Sequence, residues 1–88
     1  MKYTNTEMLD FFWSAPEKAL FDQNVIAVVT ALSISSLQRA RWAGFGGPSF
    51  IKIGRSVRYR KSDVLEFLEA CKPFNSTTEA QHAKEALQ

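Results

Sequence analysis

Apolar side chains recur at helical spacing in four stretches of this 88-residue chain and at strand spacing in one. Thr4 and Glu7 have the spacing of a capping box, which predicts a short first helix. Ser14 and Glu17 repeat this spacing and predict a second short helical turn that runs through Leu20. The apolar side chains of the first helix are Met8, Leu9, Phe12 and Trp13.

Two further helices are predicted in the middle of the chain. Asp22 is a candidate N-cap for a helix over residues 23–30, and Ser33 is one for the helix that follows. Ala31 and Leu32 interrupt the helical pattern between them, and two short helices joined by a tight turn form a helix-turn-helix. By helical spacing, the inner side of the second helix carries Leu37, Ala40, Arg41 and Gly44.

Residues 44–48 contain three Gly and one Pro, and they must end that helix. Further along, Ser62 and Asp63 favour the start of another helix, because a hydroxyl cap and an early acidic residue both stabilise the positive helix end. Pro73 closes the folded part. The buried side of this last helix is predicted to comprise Val64, Leu65, Phe67 and Leu68.

Residues 50–60 alternate between apolar and polar side chains and predict a β-hairpin. A three-residue loop over residues 54–56 would pair Ile53 with Val57, whereas a two-residue loop would place Ile51 beside a basic residue. We therefore expect the three-residue loop. It would pair Lys52 with Arg58 and gather on the outer face Lys52, Arg58 and Arg60, with Arg55 at the tip.

The pattern predicts one small domain with two flanking segments. Residues 1–20 form an N-terminal helical extension, residues 21–72 form the domain, and residues 73–88 form a polar, partly disordered tail with a helical tendency near residues 78–87. The expected fold class is mainly α with a small β-hairpin.

Composition fits a compact fold in a reducing compartment. Hydrophobic residues make up 45% of the chain and aromatic residues 12%, which is too apolar for a chain disordered throughout. Cys71 is the single cysteine and cannot form an internal disulfide bond. No apolar run is long enough to span a membrane, and we expect a cytoplasmic protein.

Charge is sorted along the chain. No acidic residue lies between Asp22 and Asp63, yet this interval holds seven of the eleven Lys and Arg residues. A basic centre between acidic ends points to a polyanion partner, and a helix beside a basic ribbon is a known way to hold DNA. The basic centre lacks the carboxylate, Cys and His groups of catalytic or metal sites, so we expect no enzyme, no cofactor and no metal.

Several short motifs follow one another in a fixed order. They are Ala27, Ala31-Leu32-Ser33, Leu37, Arg39-Ala40-Arg41-Trp42-Ala43-Gly44, the segment from Pro48 to Tyr59, Ser62-Asp63-Val64 and Phe67-Leu68. In this order and spacing they resemble the AlpA and excisionase branch of the MerR-like winged helix-turn-helix proteins, over about residues 20–69. The chain departs from that family at Ala31, where a glycine is usual, and at Thr30, where a leucine is usual.

This resemblance implies a bacterial or phage protein of mobile elements or prophages that binds double-stranded DNA sequence-specifically in the nucleoid. The leading hypothesis is an excisionase, a recombination directionality factor that acts with an integrase or recombinase and associates cooperatively with itself on DNA. A transcriptional regulator of the AlpA type is the alternative. A third hypothesis is a protein-interaction module that binds an acidic partner.

The candidate DNA-binding residues form two groups. On the second helix of the helix-turn-helix, the recognition helix, they are Ser35, Ser36, Gln38, Arg39, Arg41 and Trp42. On the hairpin, the wing, they are Lys52, Arg55, Ser56, Arg58, Arg60 and Lys61. Arg can contact guanine and Gln can contact adenine bidentately, while the wing bases would contact phosphates or the minor groove. The alternative is a solvated helix face and a hairpin charged for solubility.

Three residue assignments stay open at this level. Arg41 lies toward the core side, which favours a structural ion pair or a phosphate contact over a base contact. Trp42 is expected to pack, either on the hairpin or under the extension. The aromatic first helix is either additional core or a docking surface for a neighbouring copy, and we favour core because small domains need it.

Overall fold

The computed structural model describes residues 3–77, which form four helices and a three-stranded antiparallel sheet. In chain order the elements are α1 Asn5–Ser14, β1 Leu20–Phe21, α2 Gln23–Thr30, α3 Ile34–Ala43, β2 Ile51–Ile53, β3 Ser56–Arg60 and α4 Lys61–Ala70. The fold is thus mainly helical with a small sheet, as predicted. The helical tendency expected near residues 78–87 lies outside the described residues.

Helix α1 begins with the predicted capping box. The Glu7 N–H donates to Thr4 Oγ1 at 3.1 Å, and the Thr4 N–H donates to Glu7 Oε1 at 3.0 Å. Hydrogen bonding to Thr4 holds the pKa of the Glu7 carboxyl below its ordinary value of 4.5. The bond with the Thr4 backbone has the larger effect, and the bond with the Thr4 hydroxyl has the smaller. Phe12 is fully buried, so α1 contributes to the core, while Phe11 and Trp13 remain exposed.

The second short turn predicted after α1 ends before Leu20. Ser14 is the last residue of α1, and its hydroxyl donates to the Asp10 carbonyl at 2.6 Å instead of capping a new helix. A single turn ends at Ala19, and Leu20–Phe21 form β1. The predicted extent through Leu20 was wrong because β1 is defined by pairing with β3, which lies far along the chain and leaves no local signal.

Helices α2 and α3 begin where their capping residues predict. Asp22 accepts two backbone N–H groups at the start of α2, and Ser33 accepts the N–H of Ser36 at the start of α3. Between them Ala31 adopts a left-handed conformation with φ 59° and ψ 26°. This conformation is strained for a residue with a Cβ and is adopted without that strain by glycine.

Two glycines shape the turn that follows α3. Gly44 ends the helix with φ 85°, and its N–H donates to the Ala40 carbonyl. Gly47 lies so close to α3 that a Cβ at this position would be 2.8 Å from the Ala40 Cβ. The turn thus lies close to α3 at Gly47, and the helix ends at this Gly- and Pro-rich segment, as predicted.

The sheet has the strand order β1-β3-β2, with both neighbours antiparallel to β3. The loop between β2 and β3 contains two residues, Gly54 and Arg55, so the predicted three-residue loop is wrong. Gly54 has φ 63° and Arg55 does not have a positive φ, the pattern of a type II′ hairpin turn. The pairs are Ile51 with Arg58, Lys52 with Val57 and Ile53 with Ser56.

In this register, each side chain of β2 lies on the face of the hairpin opposite to the one predicted. The ring of Phe50, just before β2, lies 6.4 Å from that of Tyr59, so Phe50 takes the inner position expected for the isoleucines. Ile53 is consequently 56% exposed. Because opposed residues share a face, Lys52 shares the face of Val57. The predicted common face for Lys52, Arg58 and Arg60 is therefore wrong, since Lys52 lies opposite the other two.

Helix α4 begins at Lys61 and has no side-chain cap, which corrects the prediction of Ser62 as the capping residue. The Lys61 N–H donates to the Ala19 carbonyl and the Ser62 N–H to the Glu17 carbonyl, both at 2.9 Å. Backbone carbonyls thus accept N–H groups at the start of α4, where a side-chain hydroxyl was expected to accept them. Asp63 lies in the first turn, as predicted.

The core contains one fully buried side chain from each helix and one from β3: Phe12, Ile26, Leu37, Val64 and Tyr59. Half-buried side chains, including Phe21, Val57 and Leu68, pack around them. Within residues 3–77 no helix has the length and apolar character required to cross a membrane.

Candidate nucleic-acid interface

One face of α3 carries only exposed side chains. Ser35, Gln38, Arg39 and Trp42 recur at helical spacing, while Leu37 on the opposite side is fully buried. In the part of the chain that the structure describes, no side-chain hydrogen bond or ion pair engages Ser35, Gln38 or Arg39. Their donors and acceptors are available to a partner.

Ser36 and Arg41, the other two predicted residues of this helix, already have partners inside the protein. Ser33 donates its hydroxyl to the Ser36 hydroxyl at 2.9 Å. Arg41 Nη1 donates to the Tyr59 hydroxyl at 2.7 Å, and its Nη2 donates to Gln23 Oε1 at 3.3 Å. Arg41 is half-buried and connects α3 to both β3 and α2, in agreement with its expected core-side position.

The hairpin presents most of its predicted side chains to solvent. Lys52, Arg55 and Ser56 are exposed, and within residues 3–77 their side chains have no hydrogen-bonding or ionic partner. Arg58 is half-buried and donates from Nη1 to the Val57 carbonyl at 2.7 Å, which leaves the rest of its guanidinium available.

A surface depression of about 260 Å³ lies between the start of α2 and the hairpin. Arg41, Arg55 and Arg58 line it together with a single carboxylate, that of Asp22. Three guanidinium groups around one carboxylate leave a net positive charge, and the forked donors of Arg match the oxygens of a phosphate group.

Lys61 differs from the other predicted wing residues because it is 8% exposed. Its Nζ donates to the carbonyls of Trp13 at 3.0 Å and Ala15 at 2.7 Å, at the C-terminal end of α1. It also lies 5.7 Å from the centroid of the Phe12 ring. Lys61 therefore stabilises the junction between α1 and α4, and we do not include it in the candidate interface.

The aromatic side chains at the end of α3 are unusually exposed. Trp42 is 90% exposed, so the expectation that it packs on the hairpin or under the extension is wrong. Phe45, in the turn after α3, is 76% exposed and was missed by the sequence analysis. Its signal was an aromatic residue placed between glycines, where few neighbours can cover it.

We use the term basic surface for the polar groups of α3 and of the hairpin that form no ion pair among the described residues, with Lys52 on the other face of the hairpin from Arg58 and the half-buried Arg60. These groups are Ser35, Gln38, Arg39, Lys52, Arg55, Ser56, Arg58 and Arg60. The basic surface lies within the acid-free interval of the chain, so no carboxylate on these elements neutralises it. Comparisons with protein-family models, with curated proteins and with solved structures find no match to this chain.

Proposed function

We propose that the protein binds double-stranded DNA sequence-specifically as a winged helix-turn-helix, with α2 and α3 as the helix-turn-helix and β2 and β3 as the wing. The observation that carries this proposal is the basic surface, whose cationic groups form no ion pair among the described residues. A surface of this kind is the electrostatic footprint of a polyanion-binding protein.

Helix α3 and the wing have different tasks in this proposal. Gln38 can contact adenine and Arg39 guanine in the major groove, each good bidentate pair discriminating by about 1–3 kcal/mol. Arg55 and Arg58 contact phosphates, a role supported by the positive depression that they line beside α2. Contacts to phosphate position the duplex, and contacts from α3 select its sequence.

The cellular role we propose is that of an excisionase, which directs an integrase toward excision. The support is the sequence resemblance, together with the exposed aromatic side chains of α1 and of Tyr3, which precedes it. Tyr3 and Phe11 are each 45% exposed and Trp13 is 53% exposed, which offers a surface for a neighbouring copy on repeated sites. A regulator of transcription would use the same basic surface on a different arrangement of sites.

Selection of bound duplexes from a random pool, at near-physiological salt, tests both the DNA binding and the cellular role that we propose. Enrichment of closely spaced direct repeats supports an excisionase, and a lone or inverted site supports a transcriptional regulator instead. If no duplex is retained even at low salt, DNA binding is refuted and an acidic protein becomes the partner to seek.

Arg39→Ala provides a sharper test of sequence recognition. We expect selection with this variant to return the same motif with the preference relaxed at one base position. Lys18→Ala is a matched control, since it removes one exposed positive charge outside the basic surface and should leave the motif unchanged. An unchanged motif for Arg39→Ala would exclude this residue from base contact.

Self-association has its own test. Removing residues 1–19 is unsuitable because the deletion would take Phe12 out of the core. Phe11→Ser changes an exposed ring instead, so it should leave the fold and single-site affinity intact while lowering cooperativity on a duplex with two sites. Unchanged cooperativity would remove α1 from the assembly surface.

A further inference from the structure

Trp42 and Phe45 present apolar surface next to the residues proposed to contact bases. Trp42 is 90% exposed and Phe45 is 76% exposed, whereas Trp is on average a highly buried residue. Trp42 has no ring partner among residues 3–77, unlike Trp13, whose ring packs edge-on against Phe12 at 5.1 Å between centroids. The protein itself gives these two rings little to pack against.

Their position in the fold is defined by neighbouring contacts. Trp42 lies one turn beyond Gln38 and Arg39 on the same exposed stripe of α3. Phe45 follows the Gly44 helix end, in the turn that Gly47 holds against α3. Both rings are therefore carried by a supported part of the backbone.

The surrounding charge indicates what covers the rings. The stripe that carries Trp42 includes Arg39, and no acidic residue occurs on α3, in the turn or on the hairpin. This favours a negatively charged occupant over a purely apolar protein surface, and in the proposed function that occupant is DNA. On DNA, the apolar group that the major groove offers to a recognition helix is the 5-methyl group of thymine.

We infer that Trp42 and Phe45 are specificity-determining residues that contact thymine methyl groups in the major groove, beside the bases contacted by Gln38 and Arg39. This inference rests on the proposed DNA binding and adds that thymine is one of the bases recognised. It requires the preferred duplexes to contain thymine next to the base pair that Arg39 contacts.

The test compares two synthetic DNA duplexes that carry the motif returned by the selection and are identical except that one contains thymidine where the other contains 2′-deoxyuridine. They differ in the methyl group, which belongs to thymine alone. The protein should bind the thymine duplex more tightly, by about fourfold for each methyl group covered, as expected for burying one carbon. In Trp42→Ala this ratio should fall toward one, and Phe45→Ala should reduce it.

Phe74→Ala is the matched control, since it truncates an exposed aromatic ring after α4, outside the basic surface and outside the proposed self-association surface, and should keep the ratio of the unchanged protein. Trp42→Ala should retain the thermal stability of the fold, because Trp42 is 90% exposed and alanine favours helix. A lost ratio in this variant is therefore not caused by unfolding.

Failure of the thymine contact and failure of DNA binding give different results. Equal affinity of the unchanged protein for both duplexes would overturn the thymine contact while leaving DNA binding in place. An equal loss on both duplexes in Trp42→Ala would assign the ring to the sugar–phosphate backbone and would also overturn it. Binding to neither duplex, nor to a random-sequence duplex at low salt, would refute the proposed function itself.

Discussion

The guanidinium of Arg41 in α3 donates a 2.7 Å hydrogen bond to the hydroxyl of Tyr59, a fully buried residue of β3. The same guanidinium reaches Gln23 of α2 and lies 5.9 Å from the centroid of the Phe50 ring before β2. One side chain thus connects the three elements that must keep a fixed relation if helix and hairpin are to bind one duplex.

Tyr59→Phe should lower the free energy of unfolding by about 1.5 kcal/mol, because it removes an acceptor from a charged, half-buried donor. Urea denaturation measures the change. Tyr3→Phe is the matched control, since within residues 3–77 the Tyr3 hydroxyl has no hydrogen-bonding partner and the ring contact with Phe11 is kept. Equal stability of both variants would show that the Arg41 bond contributes nothing net.

Lys61→Met should lower the free energy of unfolding by about 2 kcal/mol, because the carbonyls of Trp13 and Ala15 lose their charged donor in a buried place. Affinity for DNA, measured on the folded variant, should change little. Lys52→Met is the opposite case, since Lys52 is exposed: stability should hold and DNA affinity should fall. The reverse outcome for the two lysines would return Lys61 to the interface.

Ala31→Gly should raise the free energy of unfolding by about 1 kcal/mol, since glycine adopts φ 59° without the strain of a Cβ. Thermal or urea unfolding measures it. Ala43→Gly, in the exposed last turn of α3, should lower stability because glycine disfavours helix. A loss of stability in Ala31→Gly would mean that the Ala31 methyl makes packing contacts worth more than the strain.

Arg55→Ala should weaken binding to every duplex by a similar factor and reduce the slope of log affinity against log salt by about 0.9, the value for one phosphate contact. Titrations at several salt concentrations measure both. Lys18→Ala removes an equal charge outside the basic surface and should leave the slope intact. If the two variants have equal slopes, the hairpin tip makes no phosphate contact.

Glu7→Gln should reduce stability at neutral pH and lose this effect in acid. The capping box lowers the pKa of Glu7 in the folded protein, so its contribution is complete above the ordinary pKa of 4.5 and disappears as pH falls through the lower, folded value. The difference in unfolding free energy between the two proteins should therefore shrink below about pH 4.5. A pH-independent difference would show that the carboxylate charge has no part in the cap.

Helix positions were predictable because their signals are local. Thr4, Asp22 and Ser33 each cap a helix that begins at the next residue, and Gly44 ends α3, so boundaries could be placed from four-residue patterns. The exposed stripe of α3 followed from the same periodicity once Leu37 was taken as the inward direction.

The sheet was less predictable because its determinants are distant in sequence. The pairing of Phe21 with Tyr59 leaves no trace near β1, and Phe50 competes with the isoleucines for the inner position beside Tyr59. The same limit applies to side chains: charge alone could not separate Lys61, which binds carbonyls of α1, from Arg55, which has no partner in the described part of the chain.

The arrangement of β3 has a consequence for how far the hairpin can reach. Its last two residues, Tyr59 and Arg60, pair with β1, whereas its first three pair with β2 and lead to the Gly54-Arg55 turn. Because side chains alternate with a period of two, inserting two residues into each strand beside the turn would keep every inner side chain in place. The tip would move outward by about 7 Å. Hairpin length is thus an adjustable dimension of this fold, which related chains or designed variants could change without rebuilding the core.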